Sequence, residues 1–141
     1  MLLIYDRVVA RYYPTDDAPF RGRLPDVQPD FAAAREDFLY HLADDKHRAD
    51  DTLRAYWTDL DDLLWWAEKR GKVVLRLTHD DLRSYLTLQR RRGYSHGTIR
   101  RRLTAFRGFY SFLLREGTIA EVPTAGLIVR ARTSTRGKRD A

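Results

Sequence analysis

The sequence predicts an all-α protein. It reads as a compact four-helix bundle, with an extended N-terminal arm before it and a basic C-terminal linker after it. Three observations lead there. From Pro29 onward, apolar residues recur every three or four positions in four successive segments. Each segment opens near a residue that caps helix N-termini and closes near glycine or a polar turn. The connections between segments are short, as helix bundles require.

The elements follow in chain order. Residues 1–28 form the arm. Leu2-Leu3-Ile4-Tyr5 and Val8 to Tyr13 have β-type composition, and Pro14, Pro19, Pro25 and Pro29 argue against a helix. A helical domain is expected over 29–128. Asp30 is the expected cap of the first helix, which carries Phe31, Ala34, Phe38 and Leu42 on one face. Asp50 or Asp51 caps the second, whose stripe is Leu53, Tyr56, Trp57, Leu60, Leu63, Leu64 and Ala67, with Gly71 beyond its end. Val73 to Leu77 reads as a short, extended, buried connector. Thr78 caps a third helix with Asp80 and Asp81 in its first turn and Leu82, Tyr85, Leu86 and Gln89 inward. Arg90-Arg91-Arg92 complement its C-terminal dipole, and Gly93 stops it. Ser95 caps the fourth and longest helix, with Ile99, Leu103, Phe106, Tyr110 and Leu113 inward and Gly117 at its close. The tail from Thr118, with Pro123, Gly126 and then the arginines from Arg130, reads as a basic, flexible linker or terminus, with 129–141 as the basic linker itself.

Composition narrows the function. The 141 residues suffice for one domain with a modest core. There are no cysteines, which excludes disulfides, thiol catalysis and cysteine-based zinc sites and suits a reducing, cytoplasmic location. No apolar run approaches the ~20 residues of a membrane span, so no membrane partner is expected. His41, His47, His79 and His96 lack metal-ligand spacing, and no phosphate-cradling or nucleophile-elbow motif occurs. No cofactor, metal or small-molecule substrate is therefore expected. Asp61-Asp62 and Asp80-Asp81 diverge by 100° on a helix, which suits capping and solvation rather than metal binding. Trp57, Trp65 and Trp66 fall on or near the apolar stripe and read as core. A tyrosine nucleophile would need a surrounding set of Arg, His or Lys, and none is legible.

Charge is unevenly placed. The net charge is +6 overall, but residues 1–89 carry 13 Lys/Arg against 17 Asp/Glu, and residues 90–141 carry 13 against 3. That asymmetry suggests a polyanionic partner on one side. On a helical wheel, the fourth helix opposes its core stripe with Arg101 among Gly97, Thr98, Thr104, Ala105 and Gly108, flanked by Arg100 and Arg102. Small side chains admit close approach, either to a DNA groove, where Arg reads guanine, or to another helix. The second helix offers Thr52, Arg54, Ala55 and Thr58 opposite its stripe, mixed with Asp51 and Asp62.

These residues resemble the N-terminal core-binding, SAM-like domain of tyrosine recombinases and phage integrases. Four pieces carry the resemblance in order. Asp51-Thr52-Leu53-Arg54-Ala55-Tyr56-Trp57-Thr58-Asp59-Leu60 resembles the family's TLxxYxxDL helix. Leu77 to Leu86 resembles its LTxxDLrxYL segment. Gly93 to Tyr110 resembles its GlSxxTixRrLsalRxFy helix. Leu113-Leu114-Arg115-Glu116-Gly117 followed by Val122 to Leu127 resembles its exit to the interdomain linker. The similarity covers residues 31–128.

The resemblance implies one half of a clamp around duplex DNA in site-specific recombination, with the second and fourth helices meeting the major groove. DNA contacts would fall at Thr52, Arg54, Ala55 and Thr58, and at Thr98, Arg101, Arg102 and Ala105. Other recombinase subunits, in a tetrameric synapse of the full-length protein, would be further partners. The family's catalytic residues belong to a later domain, so no catalytic residue and no enzymatic activity are expected of this chain alone. Arm 1–28 has no counterpart in this scheme, and Asp62, on the expected DNA face, would oppose phosphate binding. A helical protein-interaction module, or a DNA-binding regulator derived from a truncated integrase, is the alternative.

Overall fold

A computed structural model describes residues 28–129. These residues form helices α1 (Pro29–Asp44), α2 (Asp50–Lys69), α3 (His79–Arg91) and α4 (His96–Arg115), with a 3-10 turn at Val74–Arg76 between α2 and α3. The four-helix, all-α expectation is met. The expected arm (1–28, all but its last residue) and most of the basic linker (130–141) lie outside the described residues.

Helix starts follow local chemistry, with two corrections. α1 begins one residue before its expected cap. Gln28 is the N-cap and Pro29 takes the first turn, where its missing N–H costs nothing. Gln28 is buried, and its amide donates to Glu68 Oε2 (2.8 Å) and the Lys72 carbonyl (3.0 Å). Its carbonyl oxygen accepts the Val74 N–H at 2.9 Å. One side chain thus fixes the start of α1 against the end of α2. α2 is capped by Ala49, without a side-chain bond. Asp50 and Asp51 lie inside its first turn, where their charges favour the helix dipole.

α3 and α4 start as expected. Thr78 and Asp81 form a reciprocal capping box, with Asp81 N–H to Thr78 Oγ1 at 3.1 Å and Thr78 N–H to Asp81 Oδ2 at 2.9 Å. Ser95 Oγ accepts the Thr98 N–H at 3.1 Å. Gly93 and Gly117, at φ +84° and +78°, take the left-handed conformation that lets the chain leave α3 and α4 at little strain.

The connector between α2 and α3 is not extended throughout. Residues 74–76 turn in 3-10 fashion, which buries Val74 and leaves Val73 outside. Tyr110 Oη donates to the Val74 carbonyl at 2.8 Å, so the turn is stitched to α4. Burial holds the Tyr110 phenol far above its ordinary pKa, and the nearby Asp81 charge adds to this.

The core joins all four helices. Phe31, Phe38 and Leu39 of α1 meet Leu53, Trp57 and Leu60 of α2 and Phe106, Phe109 and Leu113 of α4. Phe31 and Phe38 pack edge-on against Phe109 with ring centroids 5.6 and 5.7 Å apart. α3 closes the other side through Leu82, Tyr85 and Leu86. Trp57 and Trp66 are buried, as their place on the apolar stripe predicts, and Trp65 is half-buried. The exit segment packs down as well. Pro123, Thr124 and Leu127 are buried, and Arg107 donates to the Leu127 carbonyl.

Candidate nucleic-acid interface

α2 is the hub of the charged architecture. Asp59 and Asp61 sit 100° to either side of Leu60, at the borders of the apolar stripe. Each meets an arginine from a neighbouring helix. Asp61 faces Arg35 of α1 at 3.7 Å, and both side chains are almost fully buried. The Arg35 guanidinium also lies 3.6 Å from the Trp57 ring centroid and 4.9 Å from that of Phe31. Asp59, at 0% exposure, faces α4. Arg101 grips it through two bonds, Nε to Oδ2 at 3.0 Å and Nη2 to Oδ1 at 2.5 Å.

Arg102 completes this junction. It reaches Asp59 at 3.5 Å and Asp62 at 3.4 Å, donates to Gln89 of α3, and lies 4.5 Å from the Tyr94 ring centroid. Burial alone would lower its pKa. Tyr85, Asp62, Asp59 and Tyr94 outweigh that effect and raise it, so Arg102 stays charged. Tyr85 Oη donates to Asp62 at 2.5 Å, and burial first, then the Asp62 charge, pushes this phenol far up. It remains neutral and acts as a donor.

The expected contact residues divide into two groups. Thr52, Arg54, Ala55 and Thr58 lie half-exposed along the first half of α2. Arg54 pairs with Asp51, and the Thr58 hydroxyl donates to the Arg54 carbonyl at 3.0 Å. Thr98 is half-exposed and exchanges a hydroxyl contact with Ser95 at 3.1 Å. Arg101 keeps 46% of its side chain exposed while bound to Asp59. That bond brings the accessible edges of α2 and α4 together across 42 residues of sequence.

The second group requires correction. Ala105, an expected contact, is fully buried at 0% exposure, and no DNA group can reach its side chain in this fold. Arg102 is nearly buried and its guanidinium is engaged inside the junction. The C-terminal part of the small face of α4 is therefore a helix-packing face, while Gly97, Thr98, Arg101 and Thr104 remain exposed or half-exposed. A Cβ on Gly108 would come 3.2 Å from Phe38 Cζ. Asp61 and Asp62 are also not the solvated pair expected from the sequence. One is buried against Arg35, and the other holds Tyr85 and Arg102.

The missed residue is Asp59. Its signal was present: a carboxylate at the edge of an apolar stripe must find a cation or stay unfolded. The sequence offered no means of choosing its partner.

What faces solvent is mostly cationic. Residues 82–115 contain nine arginines and no Asp or Glu. Arg101 and Arg102 are balanced by α2, while Arg83, Arg90, Arg91, Arg92, Arg100, Arg107 and Arg115 are exposed. Among the described residues, no group of three or more His, Asp or Glu gathers as a metal site, and no helix is long and apolar enough to cross a membrane.

A helical domain whose third and fourth helices expose most of an arginine run defines a class, and comparison with known proteins supplies the family. The model for the phage integrase N-terminal SAM-like domain matches residues 36–117, more than half of the chain. The chain belongs to that family. It is 41% identical over 96 residues to tyrosine recombinase XerC of Xanthomonas campestris pv. campestris (strain B100), covering 67% of this chain and 30% of that protein. It is 38% identical over 90 residues to tyrosine recombinase XerC of Roseiflexus sp. (strain RS-1), covering 63% and 29%. It is 36% identical over 107 residues to tyrosine recombinase XerD of Rhizobium meliloti (strain 1021), covering 76% and 34%. The chain thus spans about a third of the length of these curated relatives. No solved structure matches it.

Proposed function

We propose that this chain is the DNA-gripping, core-binding domain of a site-specific tyrosine recombinase, holding one face of duplex DNA while strand cleavage belongs to a separate catalytic domain. One observation carries the reading: the paired edges of α2 and α4, joined through Arg101 and Asp59, lie beside an acid-free arginine run whose other members are mostly solvent-facing. In this proposal Thr52, Arg54, Thr58 and Thr98 meet phosphates, and Ala55 lets the backbone approach. Arg101 addresses a base edge. Arg102 acts from within, as part of the frame that holds Arg101. Other recombinase subunits bound to the same DNA are the expected protein partners.

Fluorescence anisotropy with a labelled 30-bp duplex tests the proposal. About four phosphate contacts would give a log–log salt slope near −3.6, or roughly 150-fold weaker binding between 50 and 200 mM salt. Absence of duplex binding at 50 mM salt would refute it. Salt-independent self-association in place of DNA binding would instead favour a protein-interaction module.

A further inference from the structure

We propose that Asp59 is a specificity-determining positioning residue, which acts on DNA through Arg101. This rests on the DNA-binding reading above. Asp59 is fully buried within the body of α2, so its carboxylate is a fixed anchor. It takes both Nε and Nη2 of Arg101, and a two-point grip sets the plane of a guanidinium as well as its position. Arg102 backs the same carboxylate at 3.5 Å and is itself held by Asp62, Gln89 and Tyr94. The anchor is thus braced from α3 and α4, while 46% of the Arg101 side chain faces solvent.

Two consequences follow for recognition. An arginine held in one plane rewards a base edge that matches its direction and penalises one that does not. The Asp59 charge also offsets the pull of Arg101 on phosphates, which every sequence offers equally. Asp59 therefore trades general attraction for discrimination. Losing it should strengthen indiscriminate binding and weaken choice.

The test is a cycle of Asp59→Asn and Arg101→Ala in the full chain. Salt titrations use a mixed-sequence 30-bp duplex, and selectivity is read by sequencing duplexes bound from a random pool. Circular dichroism melts report folding. Asp59→Asn should steepen the salt slope by about 0.9, a roughly 3.5-fold change across 50 to 200 mM salt, and reduce enrichment from the pool. In the Arg101→Ala background, Asp59→Asn should change neither readout by more than about twofold. Arg101→Lys keeps the charge and loses the two-point grip. It should lower enrichment at an unchanged slope, and it covers the case in which Asp59→Asn does not fold.

A purely structural Asp59 would lower the melting temperature and leave the slope and enrichment of folded protein untouched. That result overturns the inference alone. Equal effects of Asp59→Asn with and without Arg101 also overturn it. Failure of the unaltered chain to bind the duplex defeats the function reading, and this inference with it.

Discussion

Replacing Asp61 with Asn leaves the Arg35 guanidinium inside the α1–α2 interface opposite a neutral amide. The two side chains stand 3.7 Å apart, at 1% and 4% exposure, so water cannot take over from the lost charge. Coulomb's law at an effective dielectric of about 20 gives roughly 4.5 kcal/mol for unit charges at that distance. The desolvation of both ions offsets most of that in the intact pair, and it becomes visible when one partner is removed. Asp61→Asn should therefore destabilise by about 3–5 kcal/mol. For a domain of about a hundred residues this corresponds to a fall of roughly 15–30 °C in Tm. Urea and thermal unfolding followed by circular dichroism measure it. The paired replacement Arg35→Met with Asp61→Leu should restore most of the loss, since hydrophobic substitutes for a buried ion pair are often neutral or stabilising. A cost below about 1 kcal/mol for Asp61→Asn, or a double variant no better than the single, would refute the reasoning.

Two further outcomes follow. Ala105→Leu should destabilise by about 1–3 kcal/mol, because its added atoms must displace the closely packed α4 interface. A stable Ala105→Leu protein with altered DNA binding would return Ala105 to the surface. Burial alone would raise the Asp81 pKa, but bonds from Thr78 and Lys72, with the Lys72 charge, outweigh it and hold this carboxylate below 3.8. The folded state thus gains stability from ionised Asp81 above the unfolded pKa and loses it as pH falls through the lower, folded value. Asp81→Ala should cost about 1 kcal/mol at neutral pH and flatten the acid limb of the stability curve below about pH 4, measured by urea unfolding at stepped pH.

What depends on near neighbours along the chain was legible before any fold was known. Helix periodicity, the Thr78 and Ser95 caps, the glycine exits and the arginine-rich second half all arise from interactions within about four residues. The family resemblance was legible for the same reason: it lives in motifs laid along single helices. α1 and α2 were the cases where short-range signals competed. Asp30, and Asp50 or Asp51, had the chemistry of caps, and the role of Gln28, with partners at Glu68, Lys72 and Val74, was visible only in three dimensions.

The site was legible in part. A helical wheel gives the angle at which a side chain leaves its helix and is silent about what stands there. The small face of α4 suited a DNA groove or a neighbouring helix equally, and packing assigned Ala105 to the helices. Asp59 and Asp61 were only charges at the edges of a stripe until α1 and α4 were placed on either side of α2. Their partners lie 26 to 43 residues away, too far for any local pattern. The tertiary structure decided which arginines are spent holding the fold and which remain for a partner, because burying a carboxylate demands a cation and only folding decides which one is within reach.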